Sequence, residues 1–378
     1  MQKIIIIGPA HPLRGGLASF NERMAVEFQH ANYSVEIYSF SLQYPSLLFP
    51  GKSQFSSEPA PKNLLIHAVI NSINPINWIK IGKEICNKNP ELVIFRYWIP
   101  FMAPCFGILS KMIRRNNRTK IMCIADNILP HEKRIGDYQL TSFFVKNIDG
   151  FITMSDKVTN DLLQFTNKKP LKQAIHPLYD NFGEKIDKHI SRNKLQLDID
   201  KNILLFFGFI REYKGLDLLI QAMSDDRIKN KNYFLVVAGE FYQKKEPYLD
   251  LIHQTGLENQ IKIIEDFIPD SMVKYYCCAA DVIVQPYKRA TQSGVTPLAY
   301  HFEKPMIVTN VGGLPSMVKN GETGLIAEPN PTSIADQIVK YFEKGESFFI
   351  PQLIKEKERF SWLNFTKTII EVSNDIQK

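Results

Sequence analysis

Hydrophobic and polar positions along the chain draw one arrangement twice. Four isoleucines at 4–7 precede Gly8, and such an unbroken apolar run bounded by a turn residue predicts a strand covered on both faces. The loop Pro9-Ala10-His11-Pro12-Leu13-Arg14-Gly15-Gly16 follows, and apolar residues then recur at helical spacing over about 17–31. A second strand over 35–40 completes a strand–loop–helix–strand opening, and further apolar strands are readable at 64–69, 92–95, 121–125 and 150–154. Strands alternating with helical segments predict a parallel, doubly wound sheet. After 175–178 the pattern loosens through a polar stretch to about Asp200 and restarts: strand 203–207, loop 208–215, helix 216–223, then strands at 233–238, 261–264, 282–285 and 306–309. The chain is therefore expected to be α/β, with two Rossmann-like halves joined near residue 180. The last segment, 362–376, carries apolar residues at helical spacing, but periodicity does not say where such a helix packs.

A length of 378 residues with 44% hydrophobic content fits two domains. The apolar start is too short for the core of a signal peptide. The longest apolar stretch, the twelve residues 98–109, is broken by Pro100 and Pro104 and falls short of the roughly 18 a membrane span requires. Cys86, Cys105, Cys123, Cys277 and Cys278 are an odd set without a CxxC pair, so neither a disulfide framework nor a structural metal is expected, and a reducing, cytoplasmic setting fits. A net charge of +7 points to anionic partners such as phosphates, nucleotide sugars or an acidic membrane face. Nucleic acid is not expected, because the basic residues are dispersed and no nucleic-acid motif accompanies them.

Neither strand–loop–helix unit contains G-x-G-x-x-G, which argues against a nicotinamide or flavin dehydrogenase. The second half opens instead with F-G-F-I-R-E-Y-K-G at 207–215. Gly208 allows close backbone approach, and Arg211 and Lys214 lie at the strand edge where such sheets bind ligands. They are either a phosphate grip or two solvated loop charges, and as loop residues they are expected to be exposed and to matter little for folding. A second loop, 286–297, places Ser293 and Gly294 where a helix begins, with Val295 and Pro297 in its first turn. This is either an anion pocket or an ordinary serine cap. The segments V-G-G-L-P at 311–315 and N-G-E-T-G at 320–324 are turn-rich and read equally well as simple punctuation.

Taken in order, the loop with K-G at 214–215, V-G-G-L-P, and N-G-E-T-G-L-I followed by Pro329 resemble the family 4 glycosyltransferases over most of the chain. Gly15-Gly16, Ala280-Asp281 before a strand ending in Pro286-Tyr287, and the C-terminal helix look similar too. The resemblance implies a GT-B fold, two Rossmann-like doubly wound domains facing a central cleft. The first domain, on the acceptor side, would run 1–178 with a C-terminal helix 360–378 packing back on it; the donor-binding domain would run 179–359. It further implies transfer from a nucleotide-diphosphate sugar with retention of configuration, no cofactor, and Arg211 and Lys214 against the diphosphate. Gly15 and Gly16 would approach the diphosphate from the other side.

Two departures from the family pattern stand out. The paired glutamates of many members appear here as Ala290 and Leu298, and the arginine that usually follows the loop glycine is Phe209. Thr291, Gln292 and the amides around Gly294 are the expected substitutes, with Glu240 as a candidate ribose ligand. In the first domain Asp126 and Asn127 stand where relatives often have a His-Asn pair, on the acceptor side. His131 is expected to orient acceptor or donor sugar, or to be a surface residue. No D-x-D stands beside these loops, so cations would do the work of a metal. Arg114, Arg115, Arg118 and Lys120, with the apolar loop 44–50, are either a peripheral docking face for an anionic inner-membrane surface and a lipid-linked glycan acceptor, or a solvated helix end beside a buried strand. The alternatives to a transferase are a non-catalytic nucleotide-sugar binder, an epimerase acting without acceptor, or a glycoside phosphorylase.

Overall fold

The computed structural model describes residues 2–49, 51–129, 135–229, 231–291 and 293–377. The chain divides into two compact units, residues 1–176 with 361–378, and residues 177–360.

Among the described residues the first unit holds strands β1 (Lys3–Ile7), β2 (Ser34–Leu42), β3 (Leu65–Asn71), β4 (Leu92–Tyr97), β5 (Lys120–Ala125), β6 (Gly150–Thr153) and β7 (Leu171–Gln173) in the order β3-β2-β1-β4-β5-β6-β7. All pairings are parallel. Ile4 to Ile7 are buried on both faces of β1, which is why the segment reads as a continuous apolar run and not an alternating one. β7 was not foreseen; Leu-Lys-Gln is three residues with two of them exposed, too short and polar to announce a strand.

The helix Trp362–Asp375 belongs to this unit and answers what periodicity left open. Ser361 caps it by accepting from the amide of Asn364. Its buried stripe of Trp362, Phe365, Ile369 and Val372 meets the helix Gly16–His30, where the Phe20 ring packs 4.8 Å from Trp362 and 5.4 Å from Phe365 between centroids. The Lys120 ammonium donates to the carbonyl of Ser373 at 2.7 Å.

The second unit carries β8 (Asn202–Phe207), β9 (Tyr233–Ala238), β10 (Ile261–Ile264), β11 (Val282–Gln285), β12 (Met306–Thr309) and β13 (Gly324–Ala327) in the order β10-β9-β8-β11-β12-β13. The pairings are again parallel. The residues N-G-E-T-G are the turn into β13, so they do punctuate a strand. Successive strands step outward from β8 on one side through β9 and β10, and the chain then returns to β11 on the other. The switch point between β8 and β11 is where open parallel sheets of this kind hold ligands, outside the carboxyl ends of the strands.

Candidate functional site in the second unit

Two loops flank that switch point, one after β8 and one after β11, and backbone hydrogen bonds fix them to each other. The amide of Lys288 donates to the carbonyl of Tyr213 at 2.7 Å. On its other flank the β8 loop is tied to the loop after β9: Ile210 donates to the carbonyl of Glu240 at 2.9 Å, and Tyr242 to that of Ile210 at 3.0 Å. Gly208 adopts φ 94°, a conformation that costs glycine little and other residues more. A Cβ at this position would lie 3.1 Å from the Lys214 Nζ and 4.0 Å from Val295, so three of the anticipated residues converge on one point.

Lys214 ends a single 3-10 turn, Glu212–Lys214. The residue is half-buried, and its ammonium lies 5.6 Å from the centroid of the Tyr287 ring. Burial, and after it the neighbouring Arg211 guanidinium, lowers its pKa to about 7, because both disfavour the charged form. Arg211 is exposed and stacks over Tyr242 at 5.0 Å. Neither cation pairs with a carboxylate among the described residues. This corrects the expectation of two exposed loop charges: Arg211 is one, Lys214 is not.

In the β11 loop Ser293 is buried, and its hydroxyl accepts from the amide of Val295 at 3.2 Å and lies 3.3 Å from the Tyr287 hydroxyl. Gly294 is exposed and Val295 opens the helix Val295–His301. Thr291 and Glu240 are buried at 7% and 1% exposure. Leu298, at the position of a family glutamate, is 3% exposed in a helix whose seven residues are all buried, so this position serves the core. Gly312 explains V-G-G: with φ 54°, a Cβ there would stand 1.7 Å from the carbonyl oxygen of Ala290, so the turn abuts the β11 loop and is more than punctuation. Gln292 and His131 lie outside the described residues.

Sequence reading missed Tyr242 and Tyr287 as the ring partners of the two cations, and the packing of the half-buried Phe209, whose ring lies 4.3 Å from Tyr242 and 6.0 Å from Phe267. Tyr242 and Phe267 arrive from the loops after β9 and β10, and no local motif marks them.

In the first unit, Gly15 at φ 102° precedes the helix that begins at Gly16, and Gly16 is exposed. Asp126 follows β5, and its carboxylate is held within the first unit. Both its oxygens accept from Arg96, Nε and Nη2, at 2.5 Å. Burial pushes its carboxyl up while Arg96 pulls the other way, and Arg96 itself lies 3.8 Å over the Phe20 ring. Asn127 beside it is half-buried. Of the basic residues after 113, Arg114 pairs with Asp149 at 2.6 Å and Lys120 holds Ser373, whereas Arg115 and Arg118 are exposed. Among the described residues, no group of three or more His, Cys, Asp or Glu side chains is placed to hold a metal, and no helix is long and apolar enough to cross a membrane.

Residues 187–352 match the family model of glycosyl transferases group 1. A D-inositol 3-phosphate glycosyltransferase of Corynebacterium diphtheriae is 25% identical over 206 residues, 52% of this chain and 47% of that protein. The chain thus spans about half the length of this curated relative. Among solved structures, the sucrose-phosphate synthase of Thermosynechococcus elongatus matches with a TM-score of 0.74 at 16% identity, covering 99% of this chain and 98% of that one. The HepE protein of Anabaena in complex with UDP and glucose matches with a TM-score of 0.73 at 15% identity, covering 99% and 100%.

Proposed function

We propose that this chain is a GT-B glycosyltransferase of the family 4 type and transfers a sugar from a nucleotide-diphosphate donor to a glycan acceptor, lipid-linked, with retention of configuration. The second unit takes the donor and the first unit the acceptor, in polysaccharide or glycoconjugate synthesis at the cytoplasmic face of a membrane. The carrying observation is Lys214: a half-buried amine at the switch point of the second sheet, beside a second cation and without a carboxylate partner among the described residues. A site that concentrates positive charge without internal compensation fits an anionic ligand. The match of 187–352 to the group 1 glycosyltransferases and the fold shared with a protein that holds UDP and glucose support a nucleoside diphosphate as that ligand.

The chemistry follows from where charge grows. As the glycosidic bond breaks, its electron pair passes to the bridging oxygen of the diphosphate and the sugar becomes oxocarbenium-like. A cation about 4 Å from that oxygen is worth on the order of 4 kcal/mol at an effective dielectric near 20. With a pKa of about 7, Lys214 is only partly charged at neutral pH in the free protein, and the arriving diphosphate favours its protonated form. Arg211 carries its charge throughout. The acceptor hydroxyl attacks on the face the diphosphate leaves, and its proton passes to the leaving phosphate. The two cations neutralise charge in place of a divalent metal.

The experiment is a screen of nucleotide sugars differing in base and sugar for release of the nucleoside diphosphate, with and without glycan acceptors. Acceptor-dependent release from one donor class is the expected result. A donor that binds and is never cleaved with any acceptor would make the chain a nucleotide-sugar binder, and isomerisation of the sugar without acceptor would make it an epimerase.

A further inference from the structure

The chain enters the second unit after His176 and leaves it after Phe360. These two crossings run side by side, since the amide of Leu178 donates to the carbonyl of Phe360 at 2.9 Å. Both of them touch the helix Val295–His301. From the first crossing comes the buried ring of Tyr179: a Cβ on Gly294 would stand 3.1 Å from its Cε2 and 3.6 Å from its hydroxyl oxygen. Gly294 has φ −70°, an ordinary value, so what glycine supplies there is room for the ring and not the backbone angle, and a methyl group would make the ring give by a few tenths of an ångström. Phe182 packs behind Tyr179 at 5.6 Å. At the other end of the helix, the Nε2 of His301 is hydrogen-bonded to the carbonyl of Gly183 at 2.8 Å. From the second crossing the Phe360 ring stacks on Tyr300 at 4.4 Å.

We infer that Tyr179 is a positioning residue: its ring fixes the backbone of Ser293-Gly294-Val295, so that the diphosphate site takes its shape from the crossing between the units. The inference rests on reading 293–295 as part of the donor site. A rigid aromatic ring has few rotamers, and packed against a glycine it leaves the loop few alternatives.

The test uses the full chain, with Tyr179→Phe, Tyr179→Ala, Gly294→Ala and the double variant Tyr179→Ala/Gly294→Ala. Two quantities are read, hydrogen exchange at 293–298 in the free protein and calorimetric binding of UDP. Removing the ring is expected to speed exchange and weaken UDP on the order of tenfold each, the worth of one aromatic contact, while the strands stay protected. Tyr179→Phe keeps the ring and stays closer to wild type in both than Tyr179→Ala. Gly294→Ala alone weakens UDP by pushing on the ring, and in the double variant it adds nothing, because the collision is gone.

Unchanged exchange at 293–298 in Tyr179→Ala would overturn the inference. So would a double variant whose losses multiply, or a loosened loop that binds UDP as well as before. Failure of the wild-type chain to bind UDP would instead exclude a uridine donor, and the exchange measurement would still decide whether Tyr179 sets the loop.

Discussion

The ammonium of Lys214 lies 3.1 Å from where a side chain on Gly208 would begin. The two residues, six positions apart, define one point: the glycine clears the space and the lysine fills its edge with charge. Gly208→Ala therefore carries two penalties, a strained φ of 94° and a methyl group against the amine. We expect a loss of stability of about 1–2 kcal/mol and a drop in kcat/KM of at least about tenfold. Thermal unfolding and steady-state kinetics on the same preparation check both, and a variant that is destabilised yet fully active would separate Gly208 from the site.

Lys214→Met is expected to stabilise the protein, the opposite of what a well-paired lysine would show. The amine is desolvated in the folded state, with a pKa of about 7 against the usual value near 10.5 when unfolded. Above about pH 10.5 it is neutral in both states and costs nothing. As pH falls toward 7 the unfolded chain binds the proton first, so the wild type loses stability across that window, and below 7 the loss is complete. After allowance for partial exposure, the gain of the methionine variant at pH 7 should be about 1 kcal/mol, shrinking toward zero by pH 10.5. Denaturant melts of both proteins at four pH values measure it. A gain that does not change with pH would show that the amine is solvated.

Much of the fold was legible in the pattern. The isoleucine run of β1, the restart at β8 and the helix 216–223 are long apolar signals bounded by turns, and each stands where it was expected. The site was half legible. Lys214 and Gly208 announce themselves by their loop, but the burial of Lys214 depends on Tyr287, more than seventy residues away in sequence, and the stacking of Arg211 on Tyr242. The pairing of Asp126 was hidden for the same reason. Nothing local reveals that Arg96, on the neighbouring strand, occupies both oxygens of its carboxylate.

Turnover should survive chelation. If Lys214 and Arg211 neutralise the diphosphate, activity in excess EDTA is expected to match that of the untreated protein within about twofold. Activity lost to EDTA and restored by magnesium or manganese would replace the cation scheme with a metal-assisted one.

Peripheral binding to anionic vesicles, if the acceptor is lipid-linked, should run through Arg115, Arg118 and the loop carrying Leu47, which is 93% exposed. Arg114 and Lys120 contribute little, because both are held within the first unit. In flotation at low salt, Arg115→Ser/Arg118→Ser should cost about 1 kcal/mol per charge, whereas Lys120→Ser should leave vesicle binding unchanged. Wild-type protein that stays wholly unbound at low salt would remove the membrane from the account.

The measurement that reaches the central claim is steady-state kinetics on Lys214→Ala and Arg211→Ala beside their unfolding curves, with the donor the screen identifies. If the two cations hold the diphosphate as its negative charge grows, Lys214→Ala lowers kcat/KM by roughly 10²–10³-fold, about 3–4 kcal/mol. Arg211→Ala, exposed and more screened, lowers it less, and both variants remain folded. Wild-type kcat/KM in both folded variants would contradict the account and place the phosphate site elsewhere.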